Sequence, residues 1–360
     1  MQYKSFSKIL FVVLALFVIL NLAIWEMATK DILTRDNKDV ITGDMSRMGY
    51  LPHLNHPRYN SIDLQKKHLN HTQLDSKIDL ITIGDSFSQG MAGGHNRFYQ
   101  DYLATKSDLS ILNVQQIPFS RNYLETIMML LNSGELQKYN VKYILVESTQ
   151  RKVVGRFSIP IDFTSKLNEN QRLKNSFFKI SNKAFGLPKV QFINNGNFKY
   201  LGYRFLYNFS PNAMISKVFK VKLEKPFFSV ASGDDLLFYK SDLDSVKKNT
   251  KKNIEVVNEQ LNLVAKALNK EGIKLIFMPA VAKYDLYRDF IVQKDNFAQD
   301  HFFDYFREMK KEYLFVDTKS LLLSELKKGT KDIFYVDDTH WSFKASEVIS
   351  NNIIKQIEEK

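Results

Sequence analysis

The 360-residue chain contains no cysteine, which excludes disulfides and thiolate zinc sites alike. Charge is missing from one stretch. Between Ile9 and Trp25 the only polar residue is Asn21, and that run is just long enough to cross a bilayer and longer than the core of a usual signal peptide. No acidic residue precedes it, while Lys4 and Lys8 do; Glu26, Asp31, Asp36 and Asp39 mix with bases after it. The positive-inside rule then keeps the N-terminus cytoplasmic and sends the rest of the chain outside. A small-x-small cleavage signature is also absent, because Glu26 stands two residues before Ala28. The expectation is a single-pass signal-anchor over residues 1–30 in the cytoplasmic (inner) membrane, with residues 31–360 on its periplasmic or extracytoplasmic side. A removed signal is the alternative.

At 44% hydrophobic residues, the chain can bury the core of one large domain. Short apolar runs alternate with helical patterns, which predicts an α/β fold with a mostly parallel sheet. Strands are expected at 78–84, 111–117, 142–148, 273–279 and 313–317. Ile254, Val257, Leu261, Val264 and Leu268 recur at three and four spacing, and Gly272 ends that helix before the next strand. The stripe is a core-packing face.

Two motifs carry chemistry. Gly84-Asp85-Ser86-Phe87 follows the apolar run Ile78–Ile83, so the Ser86 hydroxyl belongs at the C-terminal edge of a parallel strand, where open α/β sheets bind ligands. Asp337-Asp338-Thr339-His340-Trp341 precedes the helical pattern that closes the chain, and offers an imidazole with orienting carboxylates two and three residues upstream. A serine hydroxyl is weak until a base takes its proton, and the chain supplies nucleophile, acid and base in the order Ser, Asp, His. Alone, each motif is also an ordinary turn or helix cap; both, each read at a strand-to-helix junction, argue for a catalytic pair.

These motifs resemble the signatures of SGNH-hydrolase-like proteins of the AlgJ/AlgX/PatB type, which O-acetylate cell-envelope polysaccharides. Pro279-Ala280-Val281-Ala282-Lys283-Tyr284 is similar to a Pro/Lys/Tyr segment of that family. The resemblance covers roughly 78–150 and 250–360. It implies a flavodoxin-like three-layer sandwich without cofactor or metal, with Ser86 as nucleophile, His340 as general base and Asp338 holding the imidazole. The wider superfamily sets the acid three residues before the histidine, which here is Asp337, so both acids stay open. Asp85, Trp341, Lys283 and Tyr284 become candidates for substrate binding. It also implies a membrane-bound O-acyltransferase as acyl donor and a polysaccharide as acceptor. Transfer of acetyl to that acceptor, hydrolysis of an acetyl ester, D-alanyl transfer as in DltD-type relatives, and a non-catalytic glycan-binding scaffold all fit.

The superfamily's usual Gly and Asn blocks for the oxyanion hole are not cleanly present. Asn122 is one candidate donor, or a helix cap; the Ser86 amide is another. Glu147 and Arg151 follow the strand-like Tyr143–Val146 and either shape the site or pair with each other. His53, His56, His68 and His71 form two His-x-x-His spacings, but Pro52 and Pro57 around the first pair, with only Asp63 and Asp75 nearby, argue against a metal site.

Residues 151–225 break the alternation and are read as the heart of an insertion spanning about 151–245. They hold 15 Lys or Arg against three acids, so their net charge equals the +12 of the whole chain, and 13 Phe or Tyr are interleaved with the bases. Aromatic faces stack on sugars and cations attract polyanions, so an anionic glycan is the natural partner; an anionic membrane surface suits the same composition, and export argues against nucleic acid. A core of aromatics under a solvated basic face is the plain structural reading.

Overall fold

Three short apolar runs and two of seven residues assemble side by side because their central residues are buried on both faces. A computed structural model describes residues 2–34, 42–51, 58–69, 77–168, 172–173 and 190–359. In it β1 (Leu80–Ile83), β2 (Ile111–Val114), β3 (Tyr143–Thr149), β6 (Lys274–Ala280) and β7 (Leu314–Phe315) form one sheet in the order β2-β1-β3-β6-β7. All four pairings are parallel, with Leu80 opposite both Ile111 and Tyr143, and Tyr143 opposite Lys274. All five expected strands are present; the fifth shrinks to two residues. Between them, β4 (Val218–Lys222) and β5 (Asp235–Tyr239) make a separate antiparallel pair.

Helices cover both faces, as a sheet of continuous apolar strands requires. Lys251–Asn269 is capped by Thr250 Oγ1, which accepts from Asn253 N at 3.3 Å, and buries Ile254, Val257, Leu261, Val264 and Leu268. Gly272, at φ +73°, makes the left-handed turn into β6. The final helix, Phe343–Glu358, starts from Ser342 just after the histidine motif and packs against Tyr99–Ser107. The chain runs from β1 outward to β2 and returns to place β3 on the other side of β1, so the strand order reverses between β1 and β3. Open α/β sheets bind ligands at the carboxyl ends of such a switch point.

One helical stretch among the described residues, Tyr3–Thr34, is long and apolar enough to cross a membrane. Its outward apolar side chains are exposed, but Asn21, Ile24, Trp25, Thr29 and Ile32 are buried against the body.

Candidate functional site

The nucleophile motif is shaped by what lies beneath it. A Cβ on Gly84 would fall 2.3 Å from both Glu147 Oε2 and Ser88 Oγ, so glycine alone lets the end of β3 approach this turn. Glu147 Oε2 then accepts from Asp85 N at 2.9 Å, Ser88 N at 3.3 Å and Ser88 Oγ at 3.0 Å. Asp85 Oδ2 accepts from Thr149 N and Arg156 Nη1, both at 3.0 Å. Ser86 is left half-buried at the top of the turn. Turns, not a helix, follow it, and the next helix begins only at Tyr99, so the expected strand-to-helix junction is replaced by an extended turn.

Glu147 Oε1 and Asp85 Oδ1 are buried without a donor, yet the two carboxyls lie within hydrogen-bonding reach of each other. Burial, then the charge of Asp85, pushes the Glu147 carboxyl well above the usual range. Burial also raises Asp85, but Arg156 outweighs it and Asp85 ends below its ordinary value. The surroundings therefore favour the neutral form at Glu147 and the ionised form at Asp85.

The histidine loop is fixed from three directions. Lys283, at the start of Lys283–Tyr287 just past β6, donates to Tyr335 O (2.7 Å), Val336 O (2.9 Å) and Asp338 O (3.3 Å). Arg58 Nη2 donates to Asp337 Oδ1 at 3.1 Å and Asp338 Oδ2 at 3.0 Å. The same guanidinium donates through Nη1 to Ala92 O, so one side chain ties the segment after Ser86 to the loop before His340. From the N-terminal side, Gly43 N donates to Asp337 Oδ2 at 2.7 Å, Asp44 N to Asp338 Oδ2 at 3.2 Å, and Thr339 N to Asp44 Oδ1 at 2.8 Å.

Asp338 Oδ1 lies 2.5 Å from His340 Nδ1 and also accepts the His340 amide at 3.0 Å. Asp337 makes neither contact; its oxygens go to Arg58 and Gly43. Burial raises the Asp338 carboxyl, but Arg58 and His340 outweigh that and hold it well below the carboxylate range. Burial lowers the His340 imidazole, but Asp338's charge and hydrogen bond win and raise it, with Arg151 opposing. His340 Nε2 is buried and has no partner among the described residues. The Phe87 ring packs against His340 at 4.8 Å and Trp341 at 4.4 Å, so the residue beside Ser86 touches the imidazole. Ser86 and His340 are not hydrogen-bonded to each other, and apo sites often tighten such contacts only with substrate.

Other expected site residues have different employment. Asn122 Oδ1 accepts from Glu125 N at 3.1 Å, capping Tyr123–Asn132, and its Nδ2 donates to Arg156 O at 3.0 Å; it is a cap, not a free oxyanion donor. Arg151 does not pair with Glu147 but with Asp242 Oδ1 at 3.0 Å. Lys283 is buried with its donors spent on backbone, and Tyr284 is buried with its hydroxyl on Ala298 O, so neither is open to substrate. Trp341 and Asp85 are likewise buried, by packing and by Arg156. Of the four histidines at His-x-x-His spacing, His68 holds Asp101 Oδ1 at 2.6 Å, a carboxylate remote in sequence; His53, His56 and His71 lie outside the described residues.

Asp44, Asp338 and His340 bring ligand atoms within 4.8 Å of one another. Asp44's oxygens accept from Thr339, Asp338's from His340 and Arg58, and the Arg58 charge opposes a cation there. Arg58, Gly43 and Asp44 carry no local signal in the sequence; only the fold brings them to the loop.

The Asp338–His340 pair is held in a loop above a parallel sheet, within a stretch that a comparison of the sequence with known families matches. Residues 230–360 match the SGNH hydrolase-like domain of the acetyltransferase AlgX. The matched span carries Lys283, Asp337, Asp338 and His340; Ser86 and Glu147 precede it. Residues 230–360 are thus similar to an SGNH-like acetyltransferase domain, and the chain carries a parallel central sheet with flanking helices. No curated protein and no solved structure matches the chain.

Proposed function

We propose that the protein is an O-acetyltransferase of a cell-envelope polysaccharide, anchored by its N-terminal helix with the catalytic body outside the cytoplasmic membrane. The observation that carries the reading is the Asp338–His340 pair with an unpartnered Nε2 beside the Ser86-Phe87 turn. His340 Nε2 takes the Ser86 hydroxyl proton as Oγ attacks the acetyl carbonyl, then returns it to the leaving group, leaving acetyl-Ser86. A sugar hydroxyl gives its proton to the same nitrogen, attacks the acetyl-serine and regenerates Ser86. The Ser86 amide is the proposed oxyanion donor. An anionic polysaccharide is the proposed acceptor and a membrane-bound O-acyltransferase the proposed source of acetyl groups; the AlgX-type match supports acetyl transfer over unrelated hydrolysis.

The test is incubation with an activated acetyl ester followed by peptide mass spectrometry. Acetyl should be found on Ser86, and Ser86→Ala and His340→Ala should each lose nearly all turnover, with the double variant no worse. Wild-type turnover in a folded Ser86→Ala protein would end the assignment. Added polysaccharide should divert acetyl from water to polymer; release of free acetate alone would make the enzyme an esterase.

A further inference from the structure

We propose that the helix Asn195–Leu206 and the turn after it enter the bilayer leaflet that holds the Trp25 end of the N-terminal helix, reaching its hydrocarbon at Phe198, and make a second membrane contact for the body. The proposal rests on reading Gln2–Ile24 as a membrane span and is independent of the acyl chemistry.

Asn21, the one polar residue in the apolar run, supplies the first link. Its Oδ1 accepts from Asn197 Nδ2 at 2.9 Å, and Thr29 Oγ1 donates to Asn197 Oδ1 at 2.5 Å. Asn21, Thr29 and Asn197 are all buried, which fixes the helix Asn195–Leu206 alongside the span. A polar pair of this kind joins helices where water is absent.

The second link is depth. The Phe198 ring stacks on Phe17, with centroids 6.1 Å apart. Phe17 lies eight residues before Trp25 in the sequence, about 12 Å inside the apolar run at 1.5 Å per residue. A bilayer around the run therefore also surrounds Phe198.

The third link is what the body exposes there. Phe198, Leu201, Phe205 and Phe209 recur at three and four spacing, and with Met214 and Ile215 are 45% to 69% exposed. A contiguous apolar patch of that kind marks an interaction surface. Lys199, Arg204 and Lys217 are exposed around it, and no acidic residue occurs from Gln191 to Lys217. An apolar stripe of large side chains bordered by bases alone is the composition of a helix lying in a phospholipid interface, with cations toward anionic headgroups.

The absence of cysteine makes the test direct. Single-cysteine variants Phe205→Cys and Phe209→Cys carry a nitroxide in the full-length protein, reconstituted in vesicles of zwitterionic and anionic phospholipid. Leu14→Cys reports the span, and Lys270→Cys reports the exposed turn before β6. Spin relaxation by oxygen, which concentrates in lipid, is compared with relaxation by a water-soluble nickel chelate. Labels at 205 and 209 should be oxygen-dominated like the label at 14, while the label at 270 is nickel-dominated. Nickel-dominated labels at 205 and 209 beside an oxygen-dominated label at 14 would overturn the second contact and leave the anchor standing. Labels at 205 and 209 shielded from both reagents would mean a protein cover and would overturn it too. A nickel-dominated label at 14 would remove the span and the proposal together.

Discussion

An imidazole that is to accept a proton must first be neutral, and Asp338 works against that. Because Asp338 outweighs burial, His340 titrates above its ordinary value, near 6.5 in model peptides. Ester cleavage should therefore rise with pH along a limb whose midpoint lies above that value. Asp338→Asn should move the limb to lower pH and reduce the plateau by up to ~10⁴. Asp337→Asn should leave the limb in place and act on stability, since Asp337 holds Gly43 and Arg58 and not the imidazole. The pH–rate profiles of the two variants decide; a limb that moves only in Asp337→Asn would hand the orienting role to the residue three before the histidine. The same shifts bear on folding with opposite signs. His340's raised value stabilises the fold below its unfolded value and is lost as pH rises through the folded one. Asp338's depressed value stabilises above about 3.9 and is lost as pH falls through its folded value.

Glu147 is an acid whose burial and whose neighbour Asp85 favour the uncharged form. Three donors converge on Oε2 while Oε1 is buried without one, an arrangement that suits a carbonyl oxygen beside a hydroxyl. Glu147→Gln keeps an acceptor on one side and supplies N–H donors on the other, so it should retain most stability and turnover. Glu147→Ala strands buried donors, at about 1–3 kcal/mol each, and should also loosen the Ser86 turn. Denaturant midpoints and acylation rates of the two variants test this; equal damage in both would mean the ionised carboxylate is what the turn requires. The sequence placed Glu147 at the sheet's edge but could not distinguish shaping the turn from pairing with Arg151, because the choice depends on Asp242 drawing Arg151 away.

At the scale of elements, the five strands of the parallel sheet were legible because each is a short apolar run. The Lys251–Asn269 helix was legible from its three-and-four stripe. Ser86 and His340 were legible for a related reason: each sits in a polar motif next to an element the pattern already marks. What joins them was not. Arg58 reaches Ala92 O across 34 positions and the aspartates across about 280, and nothing local in the sequence announces such a partner. Lys283 was read as a substrate contact from its motif, whereas the fold buries it as a clamp on three carbonyls. Burial pushes its amine down to about 7, and only the charged form has three N–H donors. Arg58→Met should leave Asp337 and Asp338 buried without their shared cation, a loss of about 3–5 kcal/mol. Arg58→Lys should recover part of it. Urea unfolding of the two variants checks this, and an unchanged midpoint in Arg58→Met would show that the loop does not depend on the clip.

At the scale of the whole molecule, the basic and aromatic segment divides according to what it touches. Lys220 and Lys222 are paired with Asp234 and Asp235, so part of the charge read as a glycan attractant is balanced by acids just beyond residue 225. The stretch around Asn195–Leu206 meets the apolar helix instead, through a residue that looks like a flaw in a membrane run. Asn21 was visible in the sequence, but its use depends on Asn197, 176 positions away. Removing one member strands the other. Asn197→Leu leaves Asn21 Oδ1 and Thr29 Oγ1 without this partner, a cost of about 1–3 kcal/mol, whereas pairing it with Asn21→Leu replaces one polar contact by an apolar one of similar shape. The double variant should therefore unfold at a higher temperature than Asn197→Leu alone when the full-length protein is melted in detergent. Strictly additive losses would show that Asn21 and Asn197 do not act as a pair in holding the body to the helix.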